Sequence, residues 1–126
     1  MNEDEKRMIV KSLNEVPTEI KLSSLRILGL SNQALAKENI LEGLSYEIKR
    51  EIARETNQEN KKVFPNQDMR DSEFVLRSGS NGDYVNLKKE IGNLQHESAK
   101  EKIYLEYLKN KFSASRSIAR LFSGEE

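Results

Sequence analysis

The sequence predicts an all-α protein: an elongated, coiled-coil-like antiparallel helical hairpin with a short N-terminal helix and a helical tip. Between residues 83 and 122 a stripe of apolar side chains follows steps of three and four, with polar Ser98 and Glu101 at two of its positions, which is the heptad pattern of a long helix. Residues 17–56 carry the same pattern. The polar, turn-rich segment between these stretches predicts that the chain reverses and that the two apolar stripes pack together.

These two stripes form the predicted helix seam. Its central members are Leu41, Leu44, Ile48, Leu87, Ile91, Leu94, Leu105, Leu108 and Phe112. Burial of each large apolar side chain contributes ~1.5–3 kcal/mol, so we expect the seam to supply most of the stability.

A length of 126 residues predicts a single helical domain, residues 1–126, and the composition excludes several kinds of chemistry. Charged residues make up 33% and hydrophobic ones 36%, a balance that suits long, thin helices. Lys plus Arg equals Asp plus Glu at 21 each, so global charge favours neither a nucleic-acid binder nor an acidic mimic. The absence of cysteine excludes disulfides, thiolate zinc sites and cysteine nucleophiles. We expect no signal peptide and no membrane span.

The first element is a short helix over residues 1–15. Asn2 is a suitable N-cap, and three acidic residues follow it in the first turn. Pro17 disfavours a helical conformation at Val16, so we expect this helix to end near Asn14. It is then expected to fold back near the open end of the hairpin.

The second element is the long helix over residues 17–56. Gly29 leaves a break open, with Ser31 as the cap of a new helix, but the stripe keeps its phase across Gly29 and favours continuity. Lys37 interrupts the stripe. In an antiparallel pair Lys37 either meets Glu101 or lies at a solvated edge of the seam.

The tip covers residues 57–82. Asn66 is a suitable N-cap for a short helix, and the sequence Ser-Gly-Ser-Asn-Gly at residues 78–82 is the strongest turn signal in the chain. Asp83 is then expected to cap the final helix, residues 83–122.

Three segments of the chain carry a resemblance to known proteins: FPNQDMRDSEFVLR (64–77), LEYLKNKFSASRSIARLF (105–122) and VPTEIK (16–21). Together they resemble a family of small helical proteins encoded by phages and prophages of Gram-positive bacteria. The chain departs from the family at residues 78–82, where relatives keep helix-forming residues. The resemblance covers most of the chain. It implies a protein of the bacterial host cytoplasm, encoded among early genes for recombination and single-stranded DNA handling, and it implies no settled activity.

The tip carries a dense set of polar groups. They are Asn66, Asp68, Arg70, Asp71 and Glu73. One interpretation is helix capping with local ion pairs, and the other is a surface that recognises a partner protein. A metal site built on the three carboxylates matches no known ligand spacing, so we expect no metal and no cofactor.

The C-terminal segment carries candidate nucleic-acid-binding residues. They are Tyr104, Tyr107, Lys109, Lys111, Arg116 and Arg120. A basic row at helical spacing suits a phosphate backbone, and tyrosines stack on bases. A solvated charged face is the alternative interpretation.

A simple hairpin leaves further apolar side chains exposed. They include Ile103, Tyr104, Tyr107, Ile118 and Leu121. We therefore expect a second interface that gives a homo-oligomer, either a dimer or a larger bundle. His96 is the only histidine and no phosphate-loop or nucleophile motif is present, so we expect no enzymatic activity.

Two functions follow as hypotheses. The first is a phage interaction protein that binds a host or phage protein and inhibits or redirects a nuclease, recombinase or defence enzyme. The second is a single-stranded nucleic-acid-binding accessory of phage recombination.

Overall fold

The computed structural model describes residues 1–124 and contains three helices in that range. They are α1 (Glu3–Arg54), α2 (Gln67–Ser80) and α3 (Gly82–Ser123). The long helices α1 and α3 pack antiparallel, and the short α2 lies between them in the chain. The all-α class and the paired long helices are therefore confirmed. None of the described helices combines the length and the apolar character that crossing a membrane requires.

The chain forms two compact units. The first unit contains Met1–Ser31 and the chain from His96 onward, and the second contains Asn32–Gln95. Each unit takes one part of α1 and one part of α3, so each has its own stretch of the helix seam.

The predicted break near Pro17 is wrong, because α1 runs without interruption from Glu3 to Arg54. No separate N-terminal helix folds back. Proline lacks a backbone N–H, so the carbonyl of Leu13 loses its usual helical partner. The apolar stripe explains why the helix continues: half-buried Leu13, buried Val16 and half-buried Ile20 keep steps of three and four across the proline.

The start of α1 and its continuity at Gly29 match the sequence predictions. The Asn2 side chain accepts a hydrogen bond from the backbone N–H of Glu5 at 2.8 Å, which makes Asn2 the N-cap. Gly29 lies inside α1, and no other group approaches within 4 Å of where its Cβ would be. The helix ends at Arg54, two residues earlier than predicted.

In the second unit a cluster of apolar residues joins all three helices. Ile48, Ile52 and Tyr84 are buried at its centre, and the half-buried side chains around them are Leu41, Leu44, Phe64 and Phe74. The rings of Phe74 and Tyr84 meet edge to face at 6.0 Å, a favourable geometry for aromatic pairs. Aromatic residues from α2 and α3 thus extend the seam into a three-helix core.

The connector between α1 and α2 folds into a tight turn. Asn57 donates its backbone N–H to the carbonyl of Lys61 at 2.8 Å, and its side chain accepts from the N–H groups of Glu59 and Lys61. Asn60 takes a left-handed conformation with φ 60°, which asparagine tolerates better than most residues. Backbone N–H groups of the connector therefore find their hydrogen-bond acceptors within the connector itself.

The junction between α2 and α3 differs from the prediction. The expected turn over residues 78–82 is reduced to Asn81, because α2 continues to Ser80 and α3 begins at Gly82. Asn81 donates its N–H to the carbonyl of Ser78 at 3.2 Å, and its side chain accepts from the N–H of Tyr84 at 3.0 Å. Asn81 therefore ends one helix and caps the next, and the predicted capping by Asp83 is wrong.

The first unit has a seam with a larger polar content. Val16 and Leu108 are its most deeply buried apolar residues. Polar seam residues accompany them: Ser23, Ser98 and Ser115 are buried, and Ser12 and Glu101 are half-buried. The Ser12 and Ser115 hydroxyls lie 2.9 Å apart and place these two residues at the same level of the antiparallel pair.

Candidate interaction surfaces

The polar residues predicted at the tip mostly satisfy groups of α2 and its approach. Asn66 is the N-cap of α2 and accepts from the N–H of Met69 at 2.9 Å. Arg70 donates to the carbonyl of Phe64 at 3.2 Å and to the side chain of Gln67 at 3.3 Å. The amide of Gln67 in turn donates to Asp71. Capping and local pairing account for these groups.

Arg77 is the most connected side chain near α2, and the sequence interpretation missed it. Its guanidinium binds Glu73 at 2.8 Å, bonds to Glu55 beyond the end of α1, and lies over the ring of Phe64 at 5.6 Å. The hydrogen bond to Glu55, and then the one to Glu73, raise the pKa of Arg77. The spacing of Glu73 and Arg77 along one helix was the available sequence signal.

An open apolar groove runs along the outer side of α2. We call it the α2 groove, and it is lined by Phe64, Asp68, Met69, Ser72, Glu73 and Leu76. Its volume is about 350 Å³. On this side of α2, Met69 and Leu76 are exposed. On the other side, half-buried Phe74 packs against the core of the second unit. Of the predicted tip residues, Asp68 and Glu73 border this groove.

A polar cluster in the first unit replaces the predicted pairing of Lys37 with Glu101. Glu101 accepts hydrogen bonds from the Ser23 hydroxyl at 2.8 Å and from Nε of Arg26 at 2.9 Å. In the second unit Lys37 instead binds Glu90 at 2.8 Å. The predicted pair is therefore wrong, and each of its members has a different partner.

The heptad register divides the surface beside the seam into two flanks. With seam positions labelled a and d, positions e and b lie on one flank and positions g and c on the other. In the second unit the amide of Gln95 donates to Glu38, and both are e positions. In the first unit the e-position residues Val10 and Ser123 line one common groove. The e positions of α1 and α3 therefore share a flank.

One flank of the first unit is basic, and we call it the basic flank. Its cations are Arg7, Lys21, Lys102, Lys109, Arg116 and Arg120. Lys102, Lys109 and Arg116 recur at heptad spacing on α3, and Arg116 lies over the ring of Phe112 at 5.7 Å. Within residues 1–124, no ion pair involves any cation of this flank.

The opposite flank of the first unit is largely apolar, and we call it the tyrosine flank. Its exposed apolar side chains are Met8, Leu22, Tyr104, Tyr107, Ile118 and Leu121. The rings of Tyr104 and Tyr107 stack at 6.3 Å with an interplanar angle of 25°. Both long helices contribute to this surface.

The candidate nucleic-acid-binding residues therefore separate into two groups. Lys109, Arg116 and Arg120 belong to the basic flank, whereas Tyr104, Tyr107 and Lys111 belong to the tyrosine flank. Somewhat less than half a helical turn separates the two groups around α3. A nucleic-acid strand bound along the arginines of α3 would therefore lie on a different flank from the tyrosines.

Metal binding finds no support in the described part of the chain. Within residues 1–124, no group of three or more His, Cys, Asp or Glu side chains is arranged to hold an ion. The carboxylates of α2 instead accept hydrogen bonds, as Asp71 does from Gln67 and Glu73 does from Arg77.

Comparison with known proteins gives no assignment: no family model, no curated protein and no solved structure matches the chain.

Proposed function

We propose that this chain is a non-enzymatic interaction protein of the phage and prophage group that it resembles. It acts in the host cell by binding a host or phage protein and so inhibiting or redirecting a nuclease, recombinase or defence enzyme. The α2 groove is the surface that binds this partner.

The exposed apolar lining of the α2 groove carries the proposal. α2 is only 14 residues long, and it already places Phe74 against the core of the second unit. Its opposite side nevertheless presents Met69 and Leu76, seven residues apart and therefore on one face of the helix. An apolar stripe outside the core is typical of a surface that receives another helix.

The chemistry of the groove indicates the kind of segment that would fill it. Phe64, Met69 and Leu76 offer an apolar floor, and methionine adapts its shape to different partners. Asp68 provides a carboxylate at the edge of the groove, where the carboxylate of Glu73 is already paired with Arg77. An amphipathic helix with an apolar stripe bordered by Lys or Arg complements this surface.

A matched pair of variants on α2 tests the proposal. Leu76 and Val75 are nearly equally exposed, at 66% and 68%, but only Leu76 lines the groove. Tagged wild-type protein is used to capture its partner from lysate of phage-infected Gram-positive cells. Leu76→Glu is expected to reduce recovery of this partner by at least about tenfold, because a charge replaces a buried apolar contact.

Val75→Glu introduces the same charge on the same helix and is expected to recover the partner as the wild type does. Helicity measured by circular dichroism should be the same for both variants. Equal loss in both variants, or no specific partner recovered by the wild type, would contradict the proposal.

A second candidate function, binding of single-stranded nucleic acid, rests on the basic flank. Its cations lie on both helices of the first unit and have no carboxylate partner within residues 1–124. The heptad spacing of Lys102, Lys109 and Arg116 makes a row about 20 Å long, which suits contacts to successive phosphates.

A salt series of gel shifts with single-stranded DNA tests this candidate. The double variant Arg116→Glu with Arg120→Glu should weaken binding at low salt by about tenfold or more and flatten the salt dependence. The control is Lys61→Glu with Lys62→Glu, which makes the same charge change at exposed positions of the second unit. Similar weakening by both pairs would indicate unspecific attraction, and no binding by the wild type at low salt would remove the candidate.

A further inference from the structure

We infer that a second copy of this chain packs on the tyrosine flank of the first unit. The resulting dimer is an antiparallel four-helix bundle made from two copies of α1 and two of α3. This surface is separate from the α2 groove, so the inference stands or falls independently of the proposed function.

The first argument is the amount of unburied apolar surface on this flank. Met8 and Leu22 from α1 lie on the same side as Tyr104, Tyr107 and Ile118 from α3. In a pair of helices only the a and d positions meet, whereas helices in larger bundles also bury neighbouring positions. Apolar residues at g and c on both helices therefore fit a bundle better than a single pair.

The second argument is the weakness of the seam beneath this flank. Ser12, Ser23 and Ser115 occupy positions on or beside the a and d positions, where leucine or isoleucine would bury more surface. A unit with so few large buried side chains gains stability from a further apolar interface.

The third argument is charge complementarity between α1 and α3 on the same flank. Glu15 and Glu19 belong to this flank of α1, and Lys111 belongs to that of α3. Among residues 1–124 none of the three has an ion-pair partner within the chain. Opposite charges are thus available on this surface for a neighbouring molecule.

A two-fold axis parallel to the helices brings these groups together. Such an axis places α1 of one copy antiparallel to α3 of the other, at the level that the Ser12–Ser115 contact already sets within one chain. Glu15 then faces Lys111 of the second copy, and Leu22 faces Tyr104. An opposite-charge pair and an apolar pair thus form at two levels of the interface, and the two-fold axis repeats each of them, as a self-complementary interface requires.

Mass in solution, measured by light scattering over a dilution series, is the primary test. The wild type is expected to reach twice the 14.5 kDa of one chain. Tyr107→Glu should remain a monomer over the same series, since it places a carboxylate against Glu19 of the second copy. Leu28→Glu is the matched control, because Leu28 is as exposed as Tyr107 (56% against 57%) but lies on the basic flank. It should dimerise like the wild type.

A charge exchange tests the orientation. Lys111→Glu, and separately Glu15→Lys with Glu19→Lys, should each give monomers because like charges then face one another. An equimolar mixture should recover the dimer mass, since positions 15 and 111 again carry opposite charges at both contacts between the two variants. Repulsion within one chain would not be relieved by mixing. A monomeric wild type, a dimer that survives Tyr107→Glu, or no recovery on mixing would each overturn the inference.

Discussion

Glu101 occupies a seam position of α3 at which an aliphatic side chain would ordinarily pack. Its side chain remains only 20% exposed. The hydrogen bond from Ser23 is the larger cause that lowers the pKa of Glu101, and the hydrogen bond from Arg26 adds to it. The carboxylate is thus held in its charged form by groups of α1, and it links the two long helices through charge-assisted hydrogen bonds.

The lowered pKa of Glu101 sets the sign of a pH effect. Because the folded pKa lies below the unfolded one, the stabilisation is present above the unfolded pKa and is lost as pH falls through the folded pKa. Glu101→Gln should therefore melt at a lower temperature than the wild type at neutral pH. The difference should shrink in acid, where both side chains are uncharged.

Thermal melts of the two proteins at neutral and acid pH measure this effect. The control is Glu106→Gln, which removes an exposed carboxylate on the same helix that has no ion pair within residues 1–124. If the difference in melting temperature between wild type and Glu101→Gln is the same at both pH values, the hydrogen bonds from Ser23 and Arg26 do not stabilise the charged carboxylate.

Residue roles near α2 were predictable where the contact is local. Asn66 was predicted as an N-cap because its partner, the N–H of Met69, lies three residues away. The contact of Arg77 with Glu55 spans 22 positions of the chain and depends on how α2 packs on the end of α1. No pattern along the sequence indicates a contact over such a separation, so the role of Arg77 was not predicted.

At the scale of elements, the apolar stripe predicted more than the helix-breaking residues did. The antiparallel pair of long helices was predicted correctly, and the predicted seam positions Ile48, Ile91 and Leu108 are buried, because the heptad pattern extends over many turns. The errors lie at Pro17 and at residues 78–82. There, helix-breaking residues led to the prediction of a helix end and a turn in segments that are largely helical. α1 crosses Pro17 because burial of Val16 and Ile20 outweighs one lost hydrogen bond.

The continuity of α1 makes a prediction at Pro17. Proline in a helix interior costs about 3 kcal/mol relative to alanine, through the missing N–H and the clash with the preceding turn. Pro17→Ala should therefore stabilise the protein by about 1–3 kcal/mol, the lower values allowing for the more flexible unfolded chain.

Urea denaturation of wild type and Pro17→Ala measures the difference in free energy of unfolding. Thr18→Ala serves as the control for a neighbouring exposed position, where only helix propensity changes and a gain of about 0.5 kcal/mol is expected. A loss of stability in Pro17→Ala would mean that residues 1–16 do not continue the helix.

At the scale of the whole chain, the two units differ in what holds them together. The second unit buries Ile48, Ile52 and Tyr84 among three helices. The first unit pairs only parts of α1 and α3, through a seam that includes Ser23 and Glu101. Aliphatic and aromatic burial stabilises more strongly than hydroxyl contacts, so the free energy of local opening should be lower in the first unit.

Native-state hydrogen exchange followed by NMR tests this difference residue by residue. Amides of α1 and α3 within Asn32–Gln95 should exchange more slowly than those of the same helices in the first unit. Because a second copy on the tyrosine flank would bury the first unit further, its protection should rise with protein concentration while that of the second unit stays constant. Uniform protection along both helices would contradict the energetic difference between the units. Concentration-independent exchange in the first unit would count against the dimer alone, so the two ideas are separated by one set of measurements.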